Sequence, residues 1–157
     1  GGYVMEKKTS DFLEYAKEKG KIKDVSEAFK EYPVEEEWHK GKIESLSYLQ
    51  EEKENYNIYQ IWRWNRRQKS FFVIIEQNNI AVPIENFGML ISSKIEKAKY
   101  KTNKILEKDD KNNLRMDSIV KTDIVYRILN NQILFKIGTI DIDKVDEYKK
   151  NFYNCNK

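Results

Sequence analysis

Cysteine, histidine and proline are scarce in this chain of 157 residues, which holds one Cys, one His and two Pro. The lone Cys155 excludes an internal disulfide and suits a reducing compartment, so a cytoplasmic setting is expected. His39 and Cys155 are too few for a zinc site or a Cys/His nucleophile pair, and neither metal nor cofactor is expected. No apolar run is long enough to span a bilayer, and no signal-peptide pattern opens the chain, so no membrane partner is expected. There is no internal repeat, no low-complexity tract and no glycine-rich phosphate loop. Gly1 to Val4 precede Met5 and are set aside from fold reasoning.

What is present is charge and aromatic surface. Hydrophobic residues make up 39% and charged residues 35%, so the chain can bury a core beneath a heavily charged exterior. Aromatics at 13% supply much of that burial. The net charge of +3 is unevenly spread. Residues 1–56 hold 10 Lys+Arg against 14 Asp+Glu, net −4; the remaining 19 against 12 give net +7. A basic body behind an acidic lead-in points to an anionic ligand for the body.

The stretch Tyr59 to Ile75 reads as two strands joined by a cationic turn. Tyr59, Ile61, Trp62 and Trp64 lie on the first limb, and Phe71 to Ile75 form the second. An unbroken apolar run of that length fits a strand buried on both faces. Arg66, Arg67 and Lys69 sit in the connecting tip. Such a tip is either a phosphate-binding point or simply a solvated turn.

The lead-in reads as helical. Thr9 or Ser10 caps a helix bearing Phe12, Leu13 and Ala16, and Gly20 closes it. Asp24 and Glu27 form a capping-box-like start for Val25, Ala28, Phe29 and Tyr32, which Pro33 ends. Val34 with Trp38 suggests another turn, and Ile43, Leu46 and Leu49 a third short helix. Helices this short must pack on something. From Tyr56 the period shortens. Strands are expected at Ile80–Ile84, with Pro83 at an edge or end, and at "FGMLIS", with Gly88 at a bend or bulge. Polar residues follow, with a turn at Asp109 to Asn113. Further strands are expected at Ile119–Ile128 and "QILFKIGTI", and Asp141 or Asp143 caps a last helix carrying Val145, Tyr148 and Phe152. Many short strands without intervening helices predict an antiparallel barrel or sandwich.

Three stretches carry a family resemblance. They are "FFVIIEQNN", "LISSKIEKAKYKTN" and "RMDSIVKTDIVYRI", the last with Asp117 and Ser118 in place, followed by "LFKIGTIDIDKVDEYKK". Together they resemble the MazF/PemK-like toxins, which are metal-independent endoribonucleases. The resemblance implies an α+β fold: a small antiparallel SH3-like β-barrel over 56–157 with a C-terminal helix. Residues 5–54 stand before it as a helical extension. It also implies cleavage of single-stranded RNA, an antitoxin protein as partner, and a homodimer. The family's Arg-Pro is absent, and Lys69, Arg67 or Arg66 would supply its cation. Ser92, with Ser93 beside it, stands where the family carries a hydroxyl residue.

Cleaving RNA without metal uses the ribose 2′-OH as nucleophile, so fixed cations and hydroxyl donors aimed at the developing charge matter most. Arg66, Arg67, Lys69 and Ser92 are the candidate catalytic residues. Trp64, or Trp62 or Tyr59, would stack an unpaired base unless these rings belong to the core. Ser93, Lys94, Lys97, Lys99 and Lys101, with Lys104, either track phosphates or solvate a loop. The alternative function is a catalytically silent RNA- or protein-binding regulator of a phage or mobile element on the same barrel. The acidic lead-in would either cover the cationic groove in cis or extend the core or the dimer interface.

Overall fold

The computed structural model describes residues 10–29, 55–62 and 69–157. The elements, in chain order, are α1 (Asp11–Glu18), β1 (Ile22–Asp24), α2 (Val25–Phe29), β2 (Asn55–Trp62), β3 (Lys69–Asn78) and β4 (Glu85–Ser92). A 3-10 turn (Ile95–Lys99) leads to β5 (Asn103–Leu106), β6 (Ser118–Lys121) and β7 (Val125–Leu129). A second 3-10 turn (Asn130–Gln132) leads to β8 (Ile133–Asp141) and α3 (Ile142–Cys155).

The eight strands form one sheet in the order β1-β7-β4-β3-β2-β8, with β6 also on β4 and β5 on β6. The sheet is mixed and unclosed, where a wholly antiparallel barrel or sandwich was expected. The departure is β1, whose Ile22, Lys23 and Asp24 pair in parallel with Val125, Tyr126 and Arg127. Its edge position is pinned by charge. Arg127 donates to Glu85 of the next strand and, at 3.2 Å, to Asp24. Burial disfavours the charged guanidinium, but the two carboxylates outweigh it and raise its pKa. Asp24 therefore bonds across the sheet.

The expected hairpin is present, with Ile58 opposite Val73 and Trp62 opposite Lys69. Phe72, Val73, Ile74 and Ile75 are all buried, so this strand is covered on both faces. One face, with Ile58, Val73, Met89 and Ile91, packs against Phe12, Leu13, Ala16, Val145, Tyr148 and Phe152 of α1 and α3. The other joins Tyr59, Phe72, Ile74, Leu90, Ile128 and Ile133 with Val25 of α2. Register slips between Ile74 and Glu76, opposite Gly88 and Phe87, which is the bulge that Gly88 signalled.

α1 begins where Ser10 Oγ accepts the Leu13 N–H at 3.2 Å, and Gly20 ends it at φ +67. Phe12 meets Phe152 with ring centroids 5.1 Å apart, and Tyr15 meets Tyr153 at 4.8 Å. The Tyr15 hydroxyl donates to Asn156 O at 2.7 Å. Residues 10–29 thus extend the core of the body. The helices expected from Val34 to Leu49, and the Tyr32 and Trp38 positions, lie outside the described residues.

Three other local expectations change. Ile80–Ile84 is not a strand but the turn between β3 and β4, with Val82 almost fully exposed. The polar stretch after Ser92 contains a strand, β5. Ile119–Ile128 is two strands, separated by residues 122–124, of which Thr122 is 0% exposed. The turn at Asp109 to Asn113 is present and tightly built. The Asp109 carboxylate accepts from Lys111 N and Asn112 N, and buried Asn112 accepts from Asp109 N and Leu114 N. This loop lies directly on β8. Thr139 N donates to Lys111 O at 2.9 Å, and a Cβ on Gly138 would collide with Lys111 O and lie 2.6 Å from Asn112 C. Asp141 stands at the start of α3, but its carboxylate pairs with Lys111 at 2.9 Å rather than capping. The bond and the charge of Asp141 raise the Lys111 pKa.

Tyr148 is 0% exposed, and its hydroxyl has no hydrogen-bond partner among the described residues. Burial, then the nearby Glu147 charge, raises its pKa well above the ordinary tyrosine value. The neutral hydroxyl is favoured in the fold, so its contribution is intact below about pH 10 and is lost as pH rises beyond it. Replacing Tyr148 with Phe removes an unpaired polar atom at constant shape. Chemical denaturation should show Tyr148→Phe at least as stable as the parent, by about 1 kcal/mol, with slower loss of stability above about pH 10.

Candidate nucleic-acid interface

Of the expected site residues, Lys69 and Ser92 stand at the ends of two paired strands. β3 begins at Lys69 and β4 ends at Ser92, with Phe71 paired to Ile91. β3 therefore starts at the end of the sheet where β4 finishes. Trp64, Arg66 and Arg67 lie outside the described residues, as do the side chains of Lys69 and Trp62. Tyr59 is 0% exposed and cannot stack a base; it belongs to the core.

Ser92 is half-buried, and its Oγ accepts the Lys94 N–H at 3.3 Å. Ser93 is exposed, and its carbonyl accepts from Ile95 N at 2.8 Å. These contacts start the 3-10 turn, in which Lys97 N donates to Lys94 O and Tyr100 N to Lys97 O. With about three residues per turn, Lys94 and Lys97 lie roughly above one another and Tyr100 follows them. Asn103 donates its side-chain N–H to Lys97 O at 2.8 Å. Thr122 donates through both its backbone N–H and Oγ1 to Thr102 O. Asn151 of α3 donates to Lys101 O at 2.9 Å and to Thr122 Oγ1 at 2.8 Å. A polar loop is thus clamped onto the sheet and α3.

Lys94, Lys99 and Lys101 are exposed, and Lys97 and Lys104 are half-buried. None of the five forms an ion pair among the described residues. Three cations elsewhere are paired: Lys111 with Asp141, Lys149 with Glu76, and Arg127 with two carboxylates. Only Glu96 offsets the five lysines in this segment, leaving net +4 from Ser93 to Lys104. Unpaired cations on a segment whose backbone is hydrogen-bonded in place suit a polyanion.

The sequence reading did not single out Tyr100. It is 52% exposed and lies with Lys99 Nζ 5.4 Å from its ring centroid. Its signal was an aromatic set inside "KAKYK".

A cleft of ≈ 390 Å³ lies beside α1. Its charges are already matched: Arg127 with Glu85 and Asp24, Glu76 with Lys149. Asn78 bonds Glu85 and Gln77 bonds Asn86, so apart from Lys17 these groups hold the fold together. No group of His, Cys, Asp and Glu among the described residues could hold a metal. No helix among them is long and apolar enough to cross a membrane. Comparison with known proteins found no matching family model and no matching curated protein.

Proposed function

We propose that this chain is a toxin-like, metal-independent endoribonuclease that binds single-stranded RNA along Ser92–Lys104. The observation that carries the reading is the clamped row of five lysines without ion pairs, beginning at the hydroxyl pair Ser92–Ser93. In the reaction the ribose 2′-oxygen attacks the adjacent phosphorus, and the bond to the 5′-oxygen breaks. The 2′ proton is lost and the departing oxygen gains one, leaving a 2′,3′-cyclic phosphate and a 5′-hydroxyl. Lys94 and Lys97 would hold the neighbouring phosphates, and the Ser92 hydroxyl would donate to a non-bridging oxygen of the reacting one. Arg66, Arg67 and Lys69 are proposed to meet the same phosphate from the hairpin. A homodimer and a protein antitoxin belong to this reading; exposed Ile105 and Met116 lie where such partners could bury apolar surface.

One observation favours a silent binding protein on the same surface. Ser92 Oγ is engaged in the local turn and half-buried, which limits its approach to a phosphate. The test is incubation with mixed single-stranded RNA in chelator. New cyclic-phosphate ends confirm the nuclease. Binding without new ends leaves the regulator, and no binding overturns both.

A further inference from the structure

We infer that Tyr100 is a base-stacking platform that lets this surface distinguish a base-bearing single strand from a bare polyanion. The inference rests on the RNA reading above and names the part of the ligand that the lysines cannot sense. Half of the ring faces solvent, although the chain around it is fixed. Tyr100 N donates to Lys97 O, and Asn103 N donates to Tyr100 O at 3.0 Å. One residue on, Lys101 O is held by Asn151. A fixed backbone with an exposed ring is a surface prepared in advance, with little ordering cost on binding. Lys99 Nζ lies over the ring, 5.4 Å from its centroid, so a base would stack on the opposite face. Lys94 and Lys97 precede it at intervals of one 3-10 turn, about 6 Å. Successive phosphates of an extended strand have a similar separation. Cations for the backbone and an aromatic for a base are the two components by which single strands are gripped.

The experiment uses the full chain and two variants, Tyr100→Phe and Tyr100→Leu. Leu keeps apolar contact at the half-buried side of the ring but has no π face. Each protein is titrated at fixed salt with a short oligouridylate and with an abasic ribose-phosphate oligomer of equal length. The parent and Tyr100→Phe should favour the oligouridylate by about tenfold, and Tyr100→Leu should bind both alike. The salt slopes should be equal in all three. If Tyr100→Leu keeps the preference, Tyr100 is not the platform, although the lysine surface stands. If the parent binds both oligomers equally, bases are not read and the inference fails. If the parent binds neither, the RNA reading fails with it.

Discussion

Removing the residues before Asn55 is expected to abolish the cooperative thermal melt. Phe12, Leu13 and Ala16 lie in the same buried cluster as Ile58, Val73 and Phe152, and Val25 is buried in the second cluster. Full burial of a Phe, Leu or Val side chain contributes about 1.5–3 kcal/mol. Three such side chains therefore approach the whole stability of a typical domain, about 5–15 kcal/mol. The truncation would also strip β1 from β7 and leave Arg127 with Glu85 alone. The gentler version is Phe12→Ala, which should cost about 3–5 kcal/mol in chemical denaturation. A truncated protein that melts like the parent would mean that the lead-in is only a cover, and RNA binding by it should then rise.

The second large effect concerns charge. Replacing Lys94, Lys97 and Lys101 together with Ala should leave the melt nearly unchanged, because none of the three forms an ion pair among the described residues. Affinity for single-stranded RNA should fall severalfold at low salt. The slope of log affinity against log salt should also flatten by about 2, since each cation on a single strand contributes about 0.7. Lys111→Ala is the internal control. Lys111 is already paired with Asp141, so its loss should change the slope little. An unchanged slope in the triple variant would return this segment to a solvated loop.

The parts of the fold that were legible were those where local pattern and tertiary burial agree. The run from Phe71 to Ile75 has no polar residue to expose, and it became the doubly covered strand β3. Ser10, Phe12, Leu13, Ala16 and Gly20 gave α1 its cap, its buried face and its end. β1 was not legible. Ile22, Lys23 and Asp24 form a strand by pairing in parallel with β7, where Arg127, 103 positions away, bonds Asp24. The same holds for β5, where "NKIL" gains strand form from pairing with β6. Ile80 to Ile84 misled in the other direction. Its apolar composition suggested burial, but Ile80 and Val82 sit exposed in a turn.

The candidate site divides the same way. The lysines were visible as composition, and the position of Ser92 followed from the strand ending there. What composition could not convey is that Asn151 and Thr122, distant in sequence, lock the lysine segment in place. Tyr59, next to Ile58, is core, whereas Tyr100, between Lys99 and Lys101, is 52% exposed.

The most direct test is amide chemical-shift mapping of the full chain titrated with a short single-stranded RNA. The account predicts that the largest shifts fall on Ser92 to Lys104, with smaller ones at Thr122 and Asn151, which hold that segment. Shifts centred instead on the cleft residues Lys17, Glu85 and Arg127, or no shifts at saturating RNA, would contradict it.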